Sequence, residues 1–251
     1  SEEILVSNST LPFDDYITCR EMDLTVEILH NGRVFEELQG LCKSLDVLWF
    51  DFMLYFFDRR REQTHGITKM YDDFKIGTSA MLWDNEADLS KYVRSNINNM
   101  LKDKKGVNEM SSGKATAFFM LFEDMNNAIF NLMRNWLISL KKYDDVMASY
   151  LNDLEMFSLK RKNSLLKSQD NKNLKGIFSF DLVAASKQSY AVLPKKINLV
   201  EKKEIIFFLD EHQKKQLSNR LNEFSKSIDG IGKMLMAYPH IHHLFRKHDF
   251  R

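Results

Sequence analysis

The sequence predicts a mainly α fold: a helical, bundle-like domain carrying a small two-stranded β element near its C-terminus. Three observations lead there. Apolar residues recur at spacings of three and four through most of the first 168 positions, the period of an amphipathic helix. Gly and Pro number only 9 and 3 in 251 residues, too few for a loop-dominated or glycine-rich architecture. Alternating apolar runs of strand length occur only after Ser168.

The elements follow in order. Residues 13–29 form a helix with Ile17, Leu24 and Ile28 on one face, stopped by Asn31-Gly32, which tolerate the backbone that ends helices. A second helix runs from Val34 to Arg59 on a stripe of Val34, Leu38, Leu41, Leu45, Leu48, Trp49, Phe52 and Phe56. Val47, Phe50, Leu54 and Phe57 lie off that stripe, so the second half of the helix is apolar nearly all round. Such a helix is central, or it docks on two sides, and these four residues are the candidate docking face. Residues 63–78 read as a polar stretch with turns at His65-Gly66 and Ile76-Gly77.

Another helix spans 85–103, with Leu89, Tyr92, Val93, Ile97, Met100 and Leu101 on one face and Lys104-Lys105-Gly106 at its end. Ser111 or Ser112 then caps the longest periodic segment, which reaches Lys142. After a break at Tyr143-Asp144-Asp145, a helix covers 146–167. A polar loop at 169–173 leads to a strand at 176–185 and, beyond Pro194, a second at 204–209. Asp210 with Gln213 three residues on is a capping box opening a helix that Gly230 stops. A short helix at 231–237 ends at Pro239, and an exposed basic tail finishes the chain. The break near 168 divides a helical body, 1–168, from a smaller α+β tail, 169–251, as two domains or one continuous one.

Composition bounds the function. Lys+Arg number 36 and Asp+Glu 35, a net charge of +1, which removes the basic excess that marks nucleic-acid binders. The greasiest stretch, 45–57, carries Asp46 and Asp51 and falls short of the roughly 20 residues of a membrane span. Cys19 and Cys42 read as reduced, mostly buried thiols, and the acidic opening has no signal-peptide pattern, so a cytoplasmic location is expected. The chain enters from Ser1 almost directly into Leu11-Pro12-Phe13-Asp14, as a domain of a longer polypeptide would. A trimmed or processed start would look the same.

Catalytic signatures are scarce. Phosphate-cradling GxxxxGK and GxGxxG loops, the GxSxG elbow and HExxH do not occur. The neighbouring carboxylates Asp14-Asp15 and Asp144-Asp145 sit at helix starts, where they favour the helix dipole rather than acid/base work. His240 and His243 would share a face if their segment were helical, making them the candidate metal ligands, although no Cys or carboxylate nearby completes the set. No catalytic and no cofactor-binding residue is assigned.

Two segments carry a resemblance. Ile205-Ile206-Phe207-Phe208-Leu209-Asp210-Glu211-His212-Gln213-Lys214-Lys215, continuing through Ser227-Ile228-Asp229-Gly230-Ile231-Gly232-Lys233 to Leu244-Phe245-Arg246-Lys247, resembles the C-terminus of radical SAM proteins that carry a cobalamin-binding domain. Leu11-Pro12-Phe13-Asp14-Asp15-Tyr16, with Cys19-Arg20 and Asp23-Leu24-Thr25-Val26-Glu27-Ile28, resembles the start of the same helical region, which follows the catalytic barrel in such proteins. The resemblance implies an accessory C-terminal domain that packs on the radical SAM barrel and cobalamin-binding domain of its own polypeptide and helps shape substrate access. It also implies a parent enzyme using a 4Fe–4S cluster, S-adenosylmethionine and, in this group, cobalamin. The cluster's CxxxCxxC run and the cobalamin-ligating DxHxxG are both absent here, so this chain holds none of these groups. The competing class is a stand-alone cytoplasmic helical interaction or regulatory domain, and a bundle metalloenzyme is set aside.

Overall fold

A computed structural model describes residues 7–102, 107–166, 173–238 and 240–251. Among the described residues it contains eleven α-helices and a three-stranded antiparallel sheet near the C-terminus, so the mainly α class holds.

Helix α1 (Phe13–Val26) starts behind Pro12 with Asp14 and Asp15 in its first turn, and a single π-helical turn extends it over Glu27–Asn31. Ile17, Leu24 and Ile28 are all buried. The long helix expected over 34–59 is two helices, α2 (Glu36–Ser44) and α3 (Trp49–Arg59). Asp46 adopts a left-handed conformation (φ 52°) between them, and the Val47 N–H bonds back to the Cys42 carbonyl at 3.1 Å. Asp tolerates this geometry better than most residues, and the local bonds satisfy the end of α2. Residues 63–78, expected as turns, are instead largely helix α4 (His65–Ala80). The Thr64 side chain caps it, and Ile67, Met70, Tyr71, Phe74 and Thr78 are buried at helical spacing.

Helix α5 spans Glu86–Lys102; its expected stop at Lys104-Lys105-Gly106 lies outside the described residues. The expected continuous helix of 111–142 is interrupted. Helix α6 (Glu109–Ala115) is capped by Asn108 rather than by Ser111 or Ser112. A π-helical turn over Thr116–Met120 follows, closed by a Leu121 N–H to Thr116 carbonyl bond of 2.9 Å, before α7 (Phe122–Ser139). Helix α8 (Asp145–Lys162) opens on Asp144, whose carboxylate accepts from the Met147 N–H at 2.9 Å.

The two-stranded element is a three-stranded one. Strands β1 (Leu174–Phe180), β2 (Asn198–Phe208) and β3 (Lys247–Phe250) pair in that order, with Leu174 opposite Phe207 and Ile205 opposite Phe250. The first strand stops short of Ala185 because Asp181 caps a short helix, α9 (Leu182–Lys187). The capping box is present in both halves: Asp210 accepts from the Gln213 N–H, and the Gln213 side chain accepts from the Asp210 N–H, opening α10 (Glu211–Phe224). Helix α10 ends at Ser225 (φ 69°), not at Gly230, which sits in the first turn of α11 (Ile228–Ala237). A Cβ on Gly230 would lie 1.8 Å from the Phe224 carbonyl oxygen, so glycine permits the close approach of the two helices.

One face of the sheet packs on α8. Phe157 meets Phe178, Phe207, Tyr190 and His248 edge-on, with ring centroids 4.8–6.2 Å apart. Two ion pairs tie α2 to α8 below this contact. Arg161 holds Glu36 at 2.9 Å, and Lys162 meets Glu37 with both side chains 1% exposed. The buried side chains of the helices and of the sheet form one continuous cluster.

Candidate functional site

A cleft of about 770 Å³ opens where the end of α8, helix α9, the first turns of α10 and the closing segment 242–249 meet. The segment expected to be an exposed basic tail builds one wall. Leu244, Phe245 and Arg246 are buried, residues 242–244 form a 3₁₀ turn, and β3 follows. Two side chains anchor it. The Arg246 guanidinium donates to the Lys160 and Asn163 carbonyls at 3.0 and 2.9 Å, covering the open C-terminal end of α8. The Gln213 amide donates to the His243 and Phe245 carbonyls at 2.8 and 2.9 Å. The sequence marks Gln213 only as a capping residue; its second role becomes visible once residues 243–245 are in place.

Cations dominate the walls. Arg161, Lys187, Arg220, Arg246 and Lys247 face Asp210 and Asp249. Lys247 pairs with Asp210 at 2.5 Å, and Arg161 is shared between Glu36 and the Tyr190 hydroxyl, 3.1 Å away. Arg220 stacks over the Tyr238 ring at 4.2 Å and donates to His243 Nε2. Among the described residues, neither Arg220 nor Lys187 forms an ion pair with a carboxylate.

The imidazoles register this field. Burial first, and then Arg220, hold His243 below the usual histidine range; burial, then Arg33, do the same to His242. Burial pulls His248 down to about 4, with Arg161 acting in the same direction. Its Nε2 meets Ser186 Oγ at 3.0 Å, while Nδ1 is buried without a partner. The Nε atom of Arg161 is likewise buried and unpaired.

The sequence-predicted candidates fare differently. His240 and His243 do not share a helical face, since the 3₁₀ turn begins only at His242, and His243 Nε2 is taken by Arg220. Two Glu-x-x-His spacings exist, Glu27/His30 and Glu62/His65, but Glu27 is engaged by Lys114 at 2.8 Å and by Asn31. Among the described residues, no three of His, Cys, Asp and Glu converge as a metal ion would require. Cys42 is buried, its thiol pushed up to about 12 by that burial, whereas Cys19 is exposed rather than buried as expected.

On α3, Phe50 (53%) and Leu54 (40%) are exposed beside Leu48 in the preceding turn, whereas Val47 and Phe57 are half-buried. The Arg60 guanidinium covers the Phe57 ring at 3.7 Å. A second apolar surface escaped the sequence reading. None of residues 86–98 of α5 is buried or joins the core; Tyr92 and Ile97 are exposed, and Tyr92 packs on Trp83 at 4.9 Å. Its stripe was legible, but nothing in the sequence told that the rest of the chain would not cover it.

Among the described residues, no helix is long and apolar enough to cross a membrane. Comparison with family models, with curated proteins and with solved structures finds no match. Fold and geometry together define a mainly α domain with a small C-terminal sheet, a cationic cleft and two uncovered apolar surfaces.

Proposed function

We propose that this chain is the non-catalytic C-terminal region of a cobalamin-binding radical SAM protein, packing on the catalytic barrel and shaping access of substrate to it. The observation that carries the docking role is the uncovered apolar surface of α3, where Phe50, Leu54 and the adjacent Leu48 stand in solvent. Large apolar side chains clustered in this way mark surfaces that meet another protein part. The segments behind the resemblance are consistent with the reading. Residues 205–215 form a strand followed by a capped helix, Gly230-Ile231-Gly232 makes a close helical junction, and Leu244-Phe245-Arg246 is buried. The iron–sulfur cluster, S-adenosylmethionine and cobalamin would then be held by the barrel and the cobalamin-binding domain of the same cytoplasmic polypeptide.

The second reading, a stand-alone helical interaction domain, is favoured by α5, whose residues 86–98 stay outside the core of their own chain. The coding frame upstream of Ser1 separates the two. An open frame encoding a CxxxCxxC run is the expected result; a stop codon followed by an initiator methionine overturns the radical SAM reading. With the barrel expressed separately, it should co-purify with this chain and be lost on Phe50→Asp/Leu54→Asp. Retention by the double variant would exclude this face as the contact.

A further inference from the structure

The cleft between α8, α9, α10 and the closing segment has a charge balance that its own carboxylates do not settle. Asp210 is committed to Lys247, Glu36 behind the wall is shared by Arg33 and Arg161, and Asp249 is the one lining carboxylate left against Lys187, Arg220 and Arg246. Arg246 is met only by backbone carbonyls, and Arg220 by an imidazole and an aromatic ring. Burial pulls both guanidinium groups below the usual arginine range, the sign of cations partly stripped of water without a full counter-charge. Three imidazoles, His242, His243 and His248, stand among them, each held below the usual histidine range by burial and then by a neighbouring arginine. An apolar strip of Val183, Phe208 and Phe245 completes the wall.

We propose that this cleft binds a small phosphate-bearing molecule, with Arg220 and Lys187 as the principal anion contacts and the Val183, Phe208 and Phe245 strip beside its organic part. Arginine presents paired donors that match phosphate oxygens, and lysine adds a point charge. At about 770 Å³ the cleft exceeds what inorganic phosphate needs and falls in the range of small-ligand sites. A polynucleotide is disfavoured, because the charge is confined to a concavity on a chain of net charge +1. This inference does not depend on the radical SAM reading and can fail or succeed without it.

The test is calorimetric titration of the full 251-residue chain with pyrophosphate, AMP, citrate and adenosine. Saturable binding of pyrophosphate and AMP is expected, with AMP gaining from the apolar strip and adenosine not binding. Arg220→Gln and Lys187→Gln should each weaken binding by about tenfold, the scale of one charged hydrogen bond. Lys195→Gln, in the separate lysine-rich cavity beside Pro194, should leave it unchanged. Because either cleft variant could lose structure, each is paired with a melting curve, and imidazole nitrogen shifts of the wild type are followed during titration. Those of His242 and His243 should move with pyrophosphate. Absence of saturable binding, equal binding by all three variants, binding of citrate in preference to both phosphates, or unmoved imidazole shifts would each overturn the proposal.

Discussion

Replacing Lys162 by methionine isolates the most consequential polar contact in the fold. The ammonium donates to the Val34 carbonyl, to Glu37 and to Ser158 Oγ at 3.1 Å, so all three of its protons are used. Methionine keeps most of the stem's volume and removes the charge, leaving the Glu37 carboxylate in the core without its counter-ion. Its second oxygen already lacks a hydrogen-bond partner. Breaking a buried pair in this way costs about 3–5 kcal/mol, and the lower end is expected because Arg161 remains close enough to interact with Glu37. Replacing both members, Glu37→Met with Lys162→Met, removes the stranded charge and should recover all but about 1–2 kcal/mol, the residue being the orphaned Val34 carbonyl. Urea unfolding at neutral pH measures each corner of the cycle. A double variant as unstable as Lys162→Met would refute the reasoning, because the loss would then belong to packing and to Val34 rather than to an unpaired charge.

Two further predictions concern the sheet and the α2 contact. His248 has a folded pKa of about 4 against an unfolded value near 6.5, so its contribution is complete above 6.5 and lost as pH falls toward 4. That loss is roughly 3 kcal/mol at most, and His248→Phe, which keeps the edge contact with Phe157, should flatten this limb of the pH–stability curve. An unchanged limb would assign the acid sensitivity to other groups. Gly40 sits in α2 where an added Cβ would lie 2.1 Å from the Ser189 carbonyl oxygen, against a turn in which Ser189 and Tyr190 are both left-handed. Gly40→Ala should therefore destabilise by about 1–3 kcal/mol in thermal melts, although helix propensity alone favours alanine by up to about 1 kcal/mol. A more stable variant would show that the turn yields.

What the sequence made legible follows from the range of the interactions involved. Stripes of three-and-four spacing located α1, α5 and α7, and the capping box at Asp210 and Gln213 was read correctly because every atom in it lies within four residues. Local signals also misled. His65-Gly66 and Ile76-Gly77 read as turns, yet the buried set Ile67, Met70, Tyr71 and Phe74 outweighs two helical glycines, each costing about 1 kcal/mol. The break at 45–48 left no mark, since the apolar stripe runs straight through it and the left-handed Asp46 between α2 and α3 shows only in the backbone. Strand β3 has the composition of a loop, Lys247-His248-Asp249-Phe250, and becomes a strand by pairing with β2. The cleft was invisible for the same reason: its cations come from positions 161, 187, 220, 246 and 247, and no spacing rule joins them all.

The way the closing segment is held bears on how the cleft would work. Three unrelated devices fix it: Arg246 on the α8 terminus, Gln213 on the carbonyls of residues 243 and 245, and backbone pairing of β3 with β2. None of them uses Lys187, which stands on the wall without a role in closing the fold, while the Arg220 guanidinium adds only a side-chain contact to His243 of that segment. A binding surface whose backbone is fixed by other residues loses little freedom when a ligand arrives, which favours affinity. It also separates function from stability: the wall cations can be altered singly while the anchors remain. The α3 surface shares no residue with this cleft, so loss of docking and loss of anion binding can be produced independently in one chain. If both properties vanished together on substitution at either place, the two surfaces would be coupled, and the Arg161–Glu36 and Lys162–Glu37 pairs that join α2 to α8 would be the first contacts to substitute.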